Sequence, residues 1–270
     1  MTQEAIAGQI AQHLTQHKDA LRHYWEQSGP VRHFYLDDLL PAEWAMQFYQ
    51  ALPDPKSLLE RNSIKERKRV GIKLENYDQL IGFILFAFQD QVVLDIVSAI
   101  TGCQNLHADR SLYGSGVSVM IEGDFLMPHL DNSHDGDGEE YRVLNALYYI
   151  SPGWQTENGG NLELWNESMG ERKEITAAFN RLIMMETDTA SIHSVNKVLK
   201  PGGVRACISN YYFSQEPTGG ASYIHKTTFF ARPEDGPVKK MRLFAEATLK
   251  RLFSGLITNK VKSTKHRRGH

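Results

Sequence analysis

The rhythm of apolar and polar positions changes once along this chain, near Gly102. Before it, the apolar residues recur at helical spacing. Ile6, Ile10, Leu14 and Leu21 fall on one side of an otherwise polar stretch, which predicts a helix over residues 2–27, with Pro30 shortly after it. HFYLDDLL predicts a short strand, and PAEWAMQFYQAL a helix with Pro41 in its first turn. Residues 53–75 read as charged and irregular. Residues 76–101 predict one long apolar helix, stopped by Gly102. Its richest run, LIGFILFAFQDQVVLDIVSAI, is interrupted by Gln89, Asp90 and Gln91, which suits a buried helix better than a membrane span.

After Gly102, strand-length runs alternate with turn signals. GVSVMI, FLMPHLD, YRVLNALYYI, NLELW, RLIMMET, SIHSV and RACISNYYF are separated by EGD, a Gly/Asp loop, SPGW and KPGG. At least seven short strands between Ser111 and Phe213 predict a sandwich or barrel. The expected class is α+β with a mainly β core. Residues 1–105 form a helical and mixed support, 106–232 the β core, and 233–270 a basic amphipathic helix and tail, all within one structural domain. No internal repeat is present.

Composition narrows the picture only a little. With 270 residues, 41% of them hydrophobic, the chain can bury a sizeable core. The two cysteines, Cys103 and Cys207, make no disulfide framework, and the N-terminal segment is too polar for a secretory signal. A cytoplasmic setting is therefore expected. The net charge of -2 gives no reason to expect a nucleic-acid partner. Charge is uneven, however. Residues 238–270 hold ten Lys or Arg against Glu246 alone. Two readings stay open for that segment: a solvated surface helix with a loose end, or contact with an anionic membrane surface or polyanion.

The candidate chemistry lies in PHLDNSHDGDG, residues 128–138. In a strand, residues i and i+2 share a face, so His129 and Asp131 project together from one strand end. His193, in SIHSV, is placed to supply a third ligand. Two histidines and a carboxylate on one face leave open positions, as non-haem Fe(II) needs to bind a cosubstrate and dioxygen. Twelve residues on, Arg205 lies in a strand. An arginine facing a barrel interior needs a partner, and a bidentate carboxylate such as the distal one of 2-oxoglutarate would serve. His134, Asp135 and Asp137 read as turn chemistry with Gly136 and Gly138, and their spacing does not match an EF-hand. Gly159 and Gly160 read as a tight turn, Tyr148 as core. Tyr113 and Trp154 are candidates for either the substrate side or loop packing.

HLDN with its Gly/Asp loop, NALYYISPGW, ENGGNLELW, SIHSV and RACISNYYFS occur in an order and spacing that resemble the Fe(II)/2-oxoglutarate-dependent oxygenases, within them the prolyl 4-hydroxylase-like group. The resemblance covers about Gly116 to Ser214. It implies a double-stranded β-helix (jelly roll), with His129, Asp131 and His193 on Fe(II) and Arg205 on the distal carboxylate of 2-oxoglutarate. Tyr149 matches the family's tyrosine that contacts the same carboxylate. Asn145 and Leu147 share a strand face with Tyr149, and Ser209 and Tyr211 alternate with Arg205, so these four are candidates to line that pocket. The resemblance implies hydroxylation of an unactivated C–H bond, O2 as oxidant, ascorbate as reductant, and a prolyl residue or small molecule as substrate. Two other readings are kept: a zinc hydrolase using the same triad, and an inert β-helix that senses 2-oxoglutarate or adapts to a membrane.

Overall fold

The computed structural model describes residues 1–71, 74–245 and 248. Its helices are α1 (Gln3–Gln16), α2 (Lys18–Gln27), α3 (Ala42–Gln50), α4 (Gln79–Ala87) and α5 (Gln91–Thr101), with residues 237–245 also helical. Its strands are β1 (His33–Leu36), β2 (Leu59–Asn62), β3 (Glu66–Gly71), β4 (His107–Ala108), β5 (Gly116–Ile121), β6 (Phe125–Leu130), β7 (Tyr141–Tyr149), β8 (Leu162–Trp165), β9 (Arg172–Ile175), β10 (Arg181–Glu186), β11 (His193–Val195), β12 (Val204–Ser214) and β13 (Thr228–Phe229).

The strands make one curled antiparallel sheet in the order β1-β10-β7-β12-β5-β3-β6-β11-β8-β9, with β2 on β3, β4 on β12 and β13 on β6. The order explains the composition of β7. Leu144, Ala146 and Tyr148 face the helices, in a core shared with Ile6, Ile10, Leu14, Ile84, Phe88 and Val97. Leu147 and Tyr149, on the other face, join Leu162, Ile183 and Cys207 inside the curl. A strand covered on both faces reads as a near-continuous apolar run. Tyr148 is core as expected, its hydroxyl donating to Asn180 Oδ1 at 2.7 Å.

Three expectations need correction. The helix expected over 2–27 breaks at His17. Thr15 Oγ donates to the Ala11 carbonyl, and His17 Nδ1 lies 3.0 Å from that of His13. Side chains thus compete with the backbone in the last turn of α1. The long helix over 76–101 is two helices that meet at 42°. Asp90 ends the first by capping the second, accepting from Val92 N. Among the described residues no single helix is long and apolar enough to cross a membrane. Third, the charged stretch 53–75 contains the hairpin β2–β3 rather than irregular chain. Its alternating charges are matched on one face by acids, a point taken up below. The basic segment after residue 248 lies outside the described residues.

Candidate active site

The register of β6 and β11 sets His129 directly opposite His193. Asp131 follows the end of β6. One ligand atom from each of the three lies within 4.8 Å of the others. His129 Nε2 is 3.5 Å from Asp131 Oδ1, and His193 Nε2 is 3.6 Å from Oδ2. Each imidazole is oriented by its own backbone neighbourhood. His129 Nδ1 lies 2.9 Å from the Met127 carbonyl and His193 Nδ1 3.0 Å from that of Ser191. A carbonyl only accepts, so each Nδ1 carries a hydrogen, and each Nε2 is turned toward Asp131. Burial, with His129 beside it, pushes the His193 pKa down to about 4, so this ring is neutral near pH 7. Two imidazole nitrogens and one carboxylate, gathered this closely, fit a divalent metal. Phe229, opposite His129 on β13, stacks on that ring at 5.3 Å.

Asp131 is held by two side chains: Arg142, which the sequence reading did not assign, and Asn145, which it named only as lining the pocket. Arg142 Nη1 donates to Asp131 Oδ2 at 3.1 Å, and Asn145 Nδ2 donates to the same oxygen at 2.9 Å. Burial alone would raise the Asp131 pKa; the Arg142 guanidinium is the first influence against it, and the carboxyl lies well below its ordinary value. The Arg142 guanidinium lies 3.8 Å from the Tyr211 ring centroid. Asn145 and Tyr211 line the cavity together with Tyr149 and Arg205, at the end where Asp131 stands. Ser209 also lines the cavity, but its hydroxyl donates to the Gly116 carbonyl at 3.2 Å.

At the other end, Arg205 is 3% exposed and has no carboxylate partner among the described residues. Its Nε donates to the Gly160 carbonyl at 2.9 Å and its Nη2 to the Tyr149 hydroxyl at 3.2 Å. The guanidinium also lies over the Tyr149 ring, 4.7 Å from its centroid. Gly159 and Gly160 present the accepting carbonyl from a turn with φ of 67° and 68°. A Cβ on Gly159 would stand 2.0 Å from the Lys197 carbonyl oxygen, so this approach is open only to glycine. A buried guanidinium with neutral partners alone fits a carboxylate from outside the protein. Both ends, with Leu147 and Cys207 between them, line one cavity of about 590 Å³.

Of the remaining candidates, Tyr113 lines the cavity and is half exposed. Trp154 does not line it; its Nε1 donates to the Gly159 carbonyl and its ring packs inside the curl. His134 sits in a bridge to Tyr141, and Asp135 Oδ1 accepts from Glu139 N, as turn chemistry requires. Arg142 escaped the sequence reading because of a bulge. Tyr212 pairs with Leu144 but Phe213 with Arg142, so Val143 is an extra residue and the face switches there. One signal was available: a charge inside YRVLNALYYI, a strand buried on both faces, must have a partner.

Residues 115–213 match the 2OG-Fe(II) oxygenase superfamily. Over 105 residues the chain is 29% identical to mouse Prolyl 3-hydroxylase OGFOD1, a stretch that covers 37% of this chain and 18% of that protein. A prolyl-4-hydroxylase from Pseudomonas putida is similar in fold, with a TM-score of 0.53 and 17% identity over 72% of this chain and 98% of that one. So is a prolyl hydroxylase from Trichoplax adhaerens, in complex with a hypoxia inducible factor peptide fragment. Its TM-score is 0.50 and its identity 18%, over 75% of this chain and 91% of the other. The curled sheet is the double-stranded β-helix of these enzymes. Residues 115–213 thus match the 2OG-Fe(II) oxygenase superfamily in sequence, and the fold is similar to that of the prolyl hydroxylases.

Proposed function

We propose that this protein is an Fe(II)- and 2-oxoglutarate-dependent dioxygenase that hydroxylates an unactivated C–H bond, releasing succinate and CO2. One observation carries the reading: a buried arginine without a counter-charge shares a cavity with two histidines and a carboxylate. His129, Asp131 and His193 would hold the metal, and Arg205 and Tyr149 the distal carboxylate of the cosubstrate. Bound there, iron with 2-oxoglutarate and dioxygen supplies the oxidising chemistry. The chain's own part is placement. Arg142 and Asn145 fix the Asp131 carboxylate, Phe229 backs His129, and the cavity walls keep the reacting atoms from bulk water. Ascorbate would keep the iron reduced. The substrate is a peptidyl residue or a small molecule.

Anaerobic absorption of the purified protein with Fe(II), titrated with 2-oxoglutarate, tests the reading. A visible charge-transfer band is expected in the parent, absent in His193→Ala and requiring far more 2-oxoglutarate in Arg205→Ala. A folded, metal-loaded parent with no band would instead point to a zinc hydrolase or an inert adaptor.

A peripheral membrane contact on the cytoplasmic side forms part of the same proposal. In the helix over 237–245, Leu243 is buried while Val238, Met241 and Phe244 are 73%, 69% and 74% exposed. Lys240 and Arg242 flank that apolar arc, an arrangement suited to an anionic lipid surface. Sedimentation with vesicles containing phosphatidylglycerol should recover the parent but not a Val238→Ser, Met241→Ser, Phe244→Ser triple variant. Equal recovery of both would remove the helix from the interaction.

A further inference from the structure

The two faces of the β2–β3 hairpin balance their charges differently. On the face turned away from the cavity, each cation meets an acid. Arg67 and Arg69 both donate to the fully buried Asp124, at 2.8 Å and 2.5 Å, and Arg69 lies 3.8 Å from Glu60, its cross-strand neighbour. On the cavity face, Arg61 stands directly opposite Lys68. Like charges at directly opposed positions of an antiparallel pair repel and destabilise it. The acid at hand is Glu66, 3.0 Å from Lys68; Arg61 has no carboxylate partner among the described residues. An edge strand needs charge to discourage further pairing, but charge of either sign would serve, so that need does not explain two opposed cations facing inward.

The register carries this pair toward the buried end of the site. Val70 on β3 is opposite Ser118 on β5, and Met120, two residues further on, is opposite Arg205 on β12. Lys68 lies two residues before Val70, on the same face and toward the Arg205 row. The Lys68 ammonium is close enough, with Arg205, to restrain the Cys207 thiol, which burial pushes up to about 11. Arg61, exposed at the mouth, Lys68, part-buried, and Arg205, buried, thus step inward across the sheet. The cavity lining holds Arg61, Lys68, Arg142 and Arg205 against Glu66 and Asp131, an excess of two positive charges. A ferrous ion and the 2-oxoglutarate dianion cancel each other and leave that excess in place.

We infer that Arg61 and Lys68 form an oxyanion subsite at the mouth of the cavity, and that the substrate carries a carboxylate or phosphate group seated there while its reacting carbon faces the triad. The inference rests on the proposed oxygenase reading for the identity of the substrate, but the subsite is testable without turnover. Thermal denaturation is followed in rising acetate or inorganic phosphate, with chloride balancing ionic strength. It is run on the free protein and on protein loaded anaerobically with Fe(II) and 2-oxoglutarate, where the charge-transfer band reports loading. At roughly ten times its Kd the preferred anion should raise Tm by about 2–5 °C in both forms. A response to acetate at lower concentration assigns a carboxylate, and a response to phosphate a phosphoester. The rise should vanish in an Arg61→Gln, Lys68→Met double variant. Arg61→Gln alone should raise Tm in low salt without any anion, since it relieves the opposed charges. No rise in the parent, an equal rise in the double variant, or a rise abolished by loading would overturn the subsite. A missing band with an anion response that depends on both cations would defeat the oxygenase reading and leave the subsite standing.

Discussion

Arg142 and Arg205 are each 3% exposed, line the same cavity and lie against a tyrosine ring, yet their circumstances are opposite. Arg142 is bonded to a carboxylate the protein supplies, Asp131. Arg205 is bonded to a carbonyl and a hydroxyl, with no acid. The first has its counter-charge within the folded chain, although Nε of Arg142 is buried without a hydrogen-bond partner among the described residues, and it serves to hold another side chain. The second is complete only when an anion arrives. A buried charge without a counter-charge therefore marks where a ligand belongs, whereas a buried charge that is already paired marks what the protein must keep still.

The largest test of this contrast removes the paired acid. Asp131→Ala leaves Arg142 buried without its carboxylate, and the free protein should lose about 3–5 kcal/mol of stability in chemical denaturation. Arg205→Met should do the reverse, with stability in the absence of ligand unchanged or raised, because no ion pair is broken. Equal losses in both variants would erase the distinction. Next in size, Arg205→Met should weaken 2-oxoglutarate binding by about 10–150-fold, the range for hydrogen bonds to a charged group, in an anaerobic titration of the charge-transfer band. Arg142→Met should leave 2-oxoglutarate nearly alone but weaken metal binding by about 10–100-fold, as loss of a group orienting a metal-bound carboxylate does. Competition with a chelator measures it. The smallest effect belongs to Tyr149→Phe, which removes one neutral hydroxyl beside Arg205. It should raise the 2-oxoglutarate concentration needed by about 3–10-fold, with metal affinity unchanged.

Seven strands, β5 to β8 and β10 to β12, could be placed from apolar runs between turn signals, and His129 and Asp131 from a period of two; β9, charged at three of its four positions, was not among them. His129 and Asp131 are two apart at a strand end, and Arg205 stands in a strand whose neighbours are apolar. Where regularity fails, the sequence alone misleads. The bulge at Val143 put Arg142 on an unexpected face, where it meets Asp131 and the Tyr211 ring. The β2–β3 hairpin was hidden for a different reason. Its residues are nearly all charged, so no apolar alternation marks it; what stabilises it is ion pairing to Asp124 in the turn between β5 and β6. Likewise β13 reaches His129 from the far side of a long connection, and two paired residues leave no periodic trace.

The sheet order has a consequence for how the molecule comes into being. β1 pairs with β10, some 150 positions later in the chain, and β3 lies between β5 and β6. Such non-local pairing slows folding, since distant segments must meet before any contact rewards them. During synthesis His129 and Asp131 leave the ribosome more than sixty residues before His193, and Phe229 follows later still. A nascent or truncated chain that stops short of β11 lacks a ligand, so it holds no complete metal centre. Under the proposed oxygenase reading, redox chemistry is thereby deferred until the sheet has closed.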